Sequence, residues 1–164
     1  MKPRVLVMMG SDSDLSVVQE TATILKELGI SYEMTIASAH RTPELVRELA
    51  TGAERKGIEV IIAAAGAAAH LAGVVASHTI LPVIGIPVSS SPLQGLDSLL
   101  STVQMPPGVP VATMAVGKAG AKNAAIFAAQ IMGRKDRGIV RKLMAYRKRT
   151  ALEIMKKARS LKSL

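Results

Sequence analysis

The feature that most constrains the fold is the alternation of short apolar runs with segments whose apolar residues recur at helical spacing. Strands that alternate with helices build βαβ units, in which the strands are parallel and helices cover both faces of the sheet. The sequence therefore predicts an α/β protein, a three-layer αβα sandwich with a flavodoxin- or Rossmann-like parallel sheet and a C-terminal helix. The five predicted strands are Arg4–Met9, Ser31–Ala37, Ile58–Ala64, Leu81–Ile86 and Val111–Val116.

The helices between these runs have recognisable start and stop signals. Thr42 before Pro43 is typical of a helix N-terminus, and Gly29 and Gly133 stand where a helix C-terminus favours glycine. Pro87 falls just past the end of the fourth predicted strand. The predicted helices are Leu15–Leu28, Pro43 to about Lys56, Ala67–Ser77, Leu93–Val103, Ala119–Met132 and Arg137–Leu161.

Length and composition indicate one catalytic domain over residues 1–164, with no linker inside it. The chain has no cysteine, and its three histidines lack the spacing of a metal-binding motif, so we expect no metal site. The apolar run before Gly10 is too short for a signal-peptide core, and the run 58–76 is interrupted by glutamate, glycine and histidine. We therefore expect a cytoplasmic protein with no membrane contact.

The net charge of +9 is concentrated at the C-terminus. Residues 134–164 hold 12 Lys+Arg against two acids, whereas residues 1–133 hold nine against 10. A basic tail is compatible with nucleic-acid binding, but the chain has only three aromatic residues to serve as stacking platforms. We expect no nucleic-acid partner, and the apolar stripe of the predicted helix 137–161 instead indicates packing on a neighbouring subunit.

Three predicted strands are each followed by a loop whose residues can bind or transform a ligand. The loops are residues 10–14, 38–43 and 65–70. Because the carboxyl ends of parallel strands lie at one edge of a sheet, the three loops should face one crevice. The sequence therefore predicts a single anionic, hydroxylated ligand beside a proton-transfer residue.

Each candidate residue contributes a different kind of contact to that crevice. Ser11 and Ser13 can each donate and accept hydrogen bonds, and the Asp14 carboxylate suits ribose hydroxyls. Ser38 and Arg41, beside the backbone N–H groups of a helix N-terminus, can hold a phosphate.

A histidine and a glycine complete the set of candidates. His40 belongs to the one residue type whose ordinary pKa lies close to neutrality, so it can transfer protons. Gly66 allows a planar ring to approach the backbone. Taken alone, each of these residues is more often a helix cap or an ordinary loop residue, and His70 a packing residue. The prediction therefore depends on the coincidence of the three loops.

Several familiar motifs are missing. The first strand is not followed by G-x-G-x-x-G, Gly117-Lys118 lacks the other residues of a P-loop, and there is no G-x-S-x-G elbow. Nicotinamide cofactors and ATP have no support in the sequence, and we expect no cofactor.

Six separated motifs closely resemble the small bacterial N5-carboxyaminoimidazole ribonucleotide mutases of purine biosynthesis, in register and in order over roughly residues 4 to 133. The motifs are residues 10–14 (GSDSD), 38–43 (SAHRTP), 68–71 (AAHL), 95–99 (GLDSL), 103–106 (VQMP) and 117–125 (GKAGAKNAA). The resemblance implies a three-layer α/β fold, a homo-octamer with sites at subunit contacts, and a cofactor-free reaction. In that reaction the carboxylate on exocyclic N5 of the imidazole ribonucleotide moves to ring carbon C4.

The resemblance also implies roles for individual residues. Ser11 and Asp14 match substrate-binding residues, Arg41 matches the phosphate-binding arginine, and His40 matches the essential proton-transfer histidine. Four further residues fall in loops that line the site: Ser38, Gly66, His70 and Leu71. These roles agree with the chemistry. A carbamate loses CO2 readily once its nitrogen is protonated, and C4 must lose a proton after carboxylation. One imidazole can donate the first proton and then accept the second.

The third loop departs from the family pattern at three positions. Ala64 and Ala67 stand where relatives often have glycine, and Ala72 where they often have proline. An alanine in place of a glycine with positive φ would be strained. A related branch of the family carboxylates aminoimidazole ribonucleotide directly with CO2. Such a direct carboxylase is the alternative interpretation of this sequence. The sequence Ala-Ala-His-Leu at 68–71 favours the mutases.

Overall fold

The computed structural model describes residues 2–161, which contain a five-stranded parallel sheet in the order β2-β1-β3-β4-β5. Every pair of neighbouring strands is parallel. The strands are β1 (Val5–Met9), β2 (Tyr32–Ile36), β3 (Val60–Gly66), β4 (Val83–Val88) and β5 (Ala112–Thr113). This order is that of flavodoxin-like folds, and it confirms the predicted α/β class.

Six helices connect and follow the strands in the described part of the chain. They are α1 (Leu15–Glu27), α2 (Pro43–Gly52), α3 (Leu71–Ser77), α4 (Leu96–Val103), α5 (Lys118–Gly133) and α6 (Arg137–Leu161). Short 3-10 turns over Asp12–Asp14 and Glu54–Lys56 precede α1 and follow α2.

Helices cover both faces of the sheet because successive strand residues point to opposite faces. In β1, Val5, Val7 and Met9 pack with α1, α5 and the start of α6. The alternate residues Leu6 and Met8 pack with α2 and α3 on the other face. All five residues of β1 are buried, which explains why the strand reads as a continuous apolar run.

The largest differences from the predicted strands occur in β4 and β5. The fifth strand has only two residues in place of the predicted six, and Pro87 lies inside β4. The carbonyls of Gly85 and Pro87 both accept hydrogen bonds from the segment that follows β5. An N–H at position 87 would therefore point to the side on which β5 has already ended, and a proline is tolerated there.

The boundaries of β3 and its helix also differ from the sequence expectation. The strand covers Val60–Gly66, two residues later than predicted, and residues 67–70 form a loop in place of the predicted first turn of helix. Ala67 has a φ of 51°, which a right-handed α-helix does not accommodate. The following helix, α3, begins at Leu71. The second helix likewise ends at Gly52, earlier than predicted.

The C-terminal helix α6 has the predicted bounds, but its contacts with the core are confined to its first half. Ile139 and Leu143 are buried against the core, whereas Ile154 and Met155 are 60% and 52% exposed. Every residue from 147 to 161 is exposed.

Within residues 2–161 no helix is both long and apolar enough to cross a membrane.

Candidate active site

A cavity of about 300 Å³ lies at the sheet edge where the first four strands end. Because β2, β1, β3 and β4 run in the same direction, the loops after them meet at this edge. The sequence predicted this meeting for the loops after the first three strands and not for the loop after β4. The residues that line the cavity are Gly10, Ser11, Ser13, Asp14, Ser38, Ala39, His40, Arg41, Ala65, Gly66, Ala68, Leu71 and Ser90.

The loop after β1 combines a cap with the cavity wall. The Ser11 hydroxyl accepts a hydrogen bond from the Ser13 N–H at 3.3 Å and donates one to Asp12 Oδ1 at 3.0 Å. It thereby begins the 3-10 turn that leads into α1. Capping and lining of the cavity are therefore compatible functions of the same serine.

The most buried polar group of this loop is the Asp14 carboxyl. Asp14 is only 3% exposed. Burial raises the pKa of the Asp14 carboxyl above its ordinary value, and a backbone hydrogen bond from Ser11 and the charge of Arg41 oppose this shift only in part. A buried carboxyl at a cavity wall is suited to accept hydrogen bonds from ligand hydroxyls.

The loop after β2 is organised by Arg41. Ser38 Oγ accepts from the Arg41 backbone N–H at 3.2 Å and from Arg41 Nε at 3.4 Å. A terminal nitrogen of the Arg41 guanidinium donates to the Gly10 carbonyl at 2.9 Å. Arg41 therefore joins the loops of β1 and β2 and keeps a permanent positive charge at the cavity wall.

Thr42 supports this arrangement in a way that the sequence did not indicate. Its hydroxyl accepts from the Ser38 N–H at 2.9 Å and donates to the Ser38 carbonyl at 3.1 Å. Thr42 occupies the predicted N-cap position of α2, but its side chain makes no capping hydrogen bond. It closes the Ser38–Thr42 loop on itself.

Two histidines from different loops contact each other beside the cavity. His40 Nε2 lies 3.0 Å from His70 Nδ1, and the two rings meet edge to face at an interplanar angle of 82°. His40 lines the cavity, whereas His70 is absent from its lining and reaches the site through the His40 ring. One of the two facing nitrogens must donate and the other accept, so the contact links the tautomers of the two rings.

The apolar part of the wall comes from the end of β3, the loop after it and the start of α3, which contribute Ala65 and Gly66, Ala68, and Leu71 respectively. Of the three departures from the family pattern, Ala67 alone has a positive φ, of 51°. Ala64 is buried in β3 and Ala72 in α3. The strain expected for a replaced glycine is thus confined to Ala67.

Ser90, from the loop after β4, was missed by the sequence analysis. It lines the cavity although it lies in a serine-rich turn with no motif of its own. The one available signal was topological, because β4 is a neighbour of β3 in a parallel sheet and its carboxyl end lies at the same edge.

The part of the chain that the structure describes contains no cluster of three or more histidine and acidic residues able to hold a metal.

The sequence model of one family, described as AIR carboxylase, matches residues 4–153. The chain belongs to the AIR carboxylase family. Similar proteins in this family include the N5-carboxyaminoimidazole ribonucleotide mutase of Thermotoga maritima, 58% identical over 99% of this chain and 94% of that protein. The mutase of Bacillus subtilis is 50% identical over 98% of this chain and 99% of that protein.

A solved structure has the same architecture. The crystal structure of Treponema denticola PurE superimposes with a TM-score of 0.85, covering 98% of this chain and 99% of that one at 31% identity. The family resemblance read from the six motifs is therefore confirmed over almost the whole chain.

We predict that Ala67→Gly stabilises the protein. An L-residue in the left-handed region costs about 1–2 kcal/mol, and glycine loses about 0.5–1 kcal/mol through the freedom of the unfolded chain. The free energy of unfolding should therefore rise by about 0.5–1 kcal/mol in denaturant titrations. The control is Ala68→Gly. Because the φ of Ala68 is not positive, this substitution should lower the free energy of unfolding. A loss of stability in Ala67→Gly would contradict the strained geometry.

The raised pKa of Asp14 predicts a particular pH dependence of stability. A carboxyl whose pKa is raised on folding contributes stability below its unfolded pKa, and this stability is lost as the pH rises through the folded pKa. Asp14→Asn should therefore be more stable than the parent at neutral pH, with the difference disappearing in acid.

Asp97 provides a control of opposite sign for this measurement. A hydrogen bond from the Ser91 side chain lowers the pKa of Asp97, so Asp97→Asn should lose stability at neutral pH and lose less in acid. Both variants are compared with the parent in urea titrations across acidic and neutral pH. Parallel behaviour of the two variants would be inconsistent with a buried Asp14 carboxyl.

Proposed function

We propose that this chain is an N5-carboxyaminoimidazole ribonucleotide mutase that acts in purine biosynthesis. The observation that carries the proposal is the gathering of His40, Arg41, Ser38, Ser11 and Asp14 around one cavity. Mutases of this name share 50–58% identity with nearly the entire chain. This near-full-length identity favours the mutase over the direct aminoimidazole ribonucleotide carboxylase.

In the proposed reaction, protons move but the overall composition does not change. Proton donation to N5 allows the bond between N5 and the carboxyl carbon to break, leaving its electron pair on nitrogen and releasing CO2. The electron-rich C4 of the resulting 5-aminoimidazole ribonucleotide then attacks the CO2 carbon. Loss of the C4 proton restores the aromatic ring and gives 4-carboxy-5-aminoimidazole ribonucleotide.

His40 is the proposed carrier of both protons. As an imidazolium it donates to N5, and the neutral imidazole that remains can accept the proton from C4, so that the enzyme returns to its starting state. The contact with His70 at 3.0 Å fixes the orientation of the His40 ring. His70 is thereby proposed as a positioning residue.

The ribose phosphate is proposed to bind at the β1 and β2 loops. Arg41 and Ser38 supply charge and hydrogen bonds for the phosphate. Asp14, Ser11 and Ser13 supply acceptors and donors for the ribose hydroxyls. Because Arg41 is already held by the Gly10 carbonyl, the cation is in position before the ligand arrives.

The apolar side of the cavity is proposed to retain CO2 between the two halves of the reaction. Ala65, Gly66, Ala68 and Leu71 present small or apolar surfaces there. Gly66 lets the imidazole ring lie against the backbone, and the apolar wall excludes water from released CO2. Since every bond change is driven by acid–base chemistry, the proposed reaction uses no metal and no cofactor.

We further propose that residues 1–164 form a single catalytic domain that acts in the cytoplasm as a homo-octamer. The exposed distal half of α6 supports assembly, because Ile154 and Met155 form an apolar surface that their own subunit does not bury. A neighbouring subunit is the proposed partner of that surface.

Replacing the apolar side chains of α6 should weaken this assembly. Ile154→Asp combined with Met155→Asp should lower the sedimentation mass from eight times the 17.2 kDa of one chain to a smaller species. The control is Lys156→Asp with Lys157→Asp, which alters the charge of the same exposed turn and leaves its apolar side chains in place. An unchanged mass in the first variant would exclude this face from the interface.

The enzymatic proposal is tested by offering two substrates. N5-carboxyaminoimidazole ribonucleotide should be converted to the 4-carboxy product, and His40→Asn should lower that turnover by at least about a hundredfold, the low end for a general acid–base residue. Far-UV circular dichroism of the variant should be unchanged. The control is His78→Asn, an exposed histidine at the end of α3 that does not line the cavity.

Two results would contradict parts of this proposal. Turnover solely with 5-aminoimidazole ribonucleotide and a CO2 source would identify the chain as the direct carboxylase. Full turnover in His40→Asn would exclude His40 as the proton carrier.

A further inference from the structure

Ser90 has a hydroxyl group that faces the cavity and has no partner. Among residues 2–161 its Oγ makes no hydrogen bond, whereas the hydroxyls of Ser11 and Ser38 in the same cavity wall are engaged by their own loops. The other cavity serine whose hydroxyl makes no hydrogen bond within these residues is Ser13, on the β1 side. Polar groups at a binding surface that lack a partner in the free protein are available to a ligand.

The Ser90 hydroxyl lies directly over the end of β3. A Cβ atom built on Gly66 would lie 2.8 Å from Ser90 Cβ and would overlap Ser90 Oγ. Ser90 therefore occupies the space that a side chain at position 66 would fill. It forms the wall of the cavity at the point where the small residues of β3 leave room for a ring.

The backbone on both sides of Ser90 is held in place. The buried Ser98 hydroxyl donates to the Val88 carbonyl at 2.9 Å. On the other side, the Leu93 N–H donates to Ser91 Oγ at 3.1 Å, and the Gln94 N–H donates to the Ser91 carbonyl at 3.1 Å. Ser90 is thus fixed between two anchored residues, so little ordering is required when a ligand binds.

The order of the strands determines which part of a ribonucleotide reaches Ser90. Arg41 follows β2, and Ser90 follows β4, three strand spacings of about 4.8 Å each across the sheet edge. With the phosphate at Arg41, the ribose passes the β1 loop and the imidazole lies over Gly66 at the end of β3. The edge of the imidazole that is most distant from the ribose then faces Ser90.

We propose that the Ser90 hydroxyl donates a hydrogen bond to the carboxylate that the reaction places on C4. The other lining residues on the β3 and β4 side are Ala65, Gly66, Ala68 and Leu71, none of which has a polar side chain. Ser90 is therefore the side-chain donor that the β3 and β4 side of the cavity offers to a carboxylate, opposite His40 of the β2 loop. This inference rests on the proposed mutase function and adds a residue that distinguishes the carboxylated nucleotide from the free one.

The test compares two nucleotides that differ by that carboxylate alone. In isothermal titrations, Ser90→Ala should bind 4-carboxy-5-aminoimidazole ribonucleotide about tenfold or more weakly than the parent, because a hydrogen bond to a charged group is lost. Its affinity for 5-aminoimidazole ribonucleotide should be unchanged. The control is Ser89→Ala, whose exposed side chain does not line the cavity and whose loss should alter neither affinity.

The outcomes separate this inference from the function on which it rests. Equal weakening of both nucleotides in Ser90→Ala, or no weakening of either, would overturn the role of Ser90 while leaving the mutase proposal intact. Failure of the parent protein to bind either nucleotide would reject the proposed function itself.

Discussion

The parallel pairing of four strands in one register is the constraint on which the rest of the structure depends. Met9 at the end of β1 pairs with Ile36 of β2 and with Ala64 of β3, and Gly66 of β3 pairs with Val88 of β4. These pairs align the ends of the strands, so that four loops begin at nearly the same level. A shift of one residue would send every side chain of a strand to the opposite face.

Contacts between loops convert this alignment into a defined cavity. The Arg41 guanidinium reaches the Gly10 carbonyl and joins the loops of β2 and β1. His40 contacts His70 and so joins the loops of β2 and β3. Ser90 covers Gly66 and brings the β4 loop against the end of β3. Each loop is therefore positioned by a neighbour that is remote in sequence.

Two features of the loops around the cavity lower stability locally. Ala67 has a left-handed backbone conformation that alanine disfavours, and Asp14 carries a carboxyl that burial keeps from ionising readily. Natural proteins tolerate such costs where function requires a particular geometry, since the rest of the fold supplies the stability. Both features lie in loops that end at the proposed ligand and neither lies in the helices that build the core.

The sequence was most informative where a signal was local. Periodicity predicted α6 with its observed bounds, and the polar residues after β1 and β2 predicted most of the cavity wall. The sequence failed where the outcome depends on partners remote in the chain. The two-residue length of β5 follows from its pairing with β4, and the position of Ser90 over Gly66 follows from the pairing of β4 with β3.

The central claim is that one ribonucleotide lies across these four loops with His40 at its imidazole. A crystal structure with bound 4-carboxy-5-aminoimidazole ribonucleotide tests it most directly. We expect the phosphate at Arg41 and Ser38, and the His40 ring within hydrogen-bonding reach of N5 or of the carboxylate on C4. A nucleotide bound at another edge of the sheet, or a His40 ring turned away from the imidazole, would contradict the account.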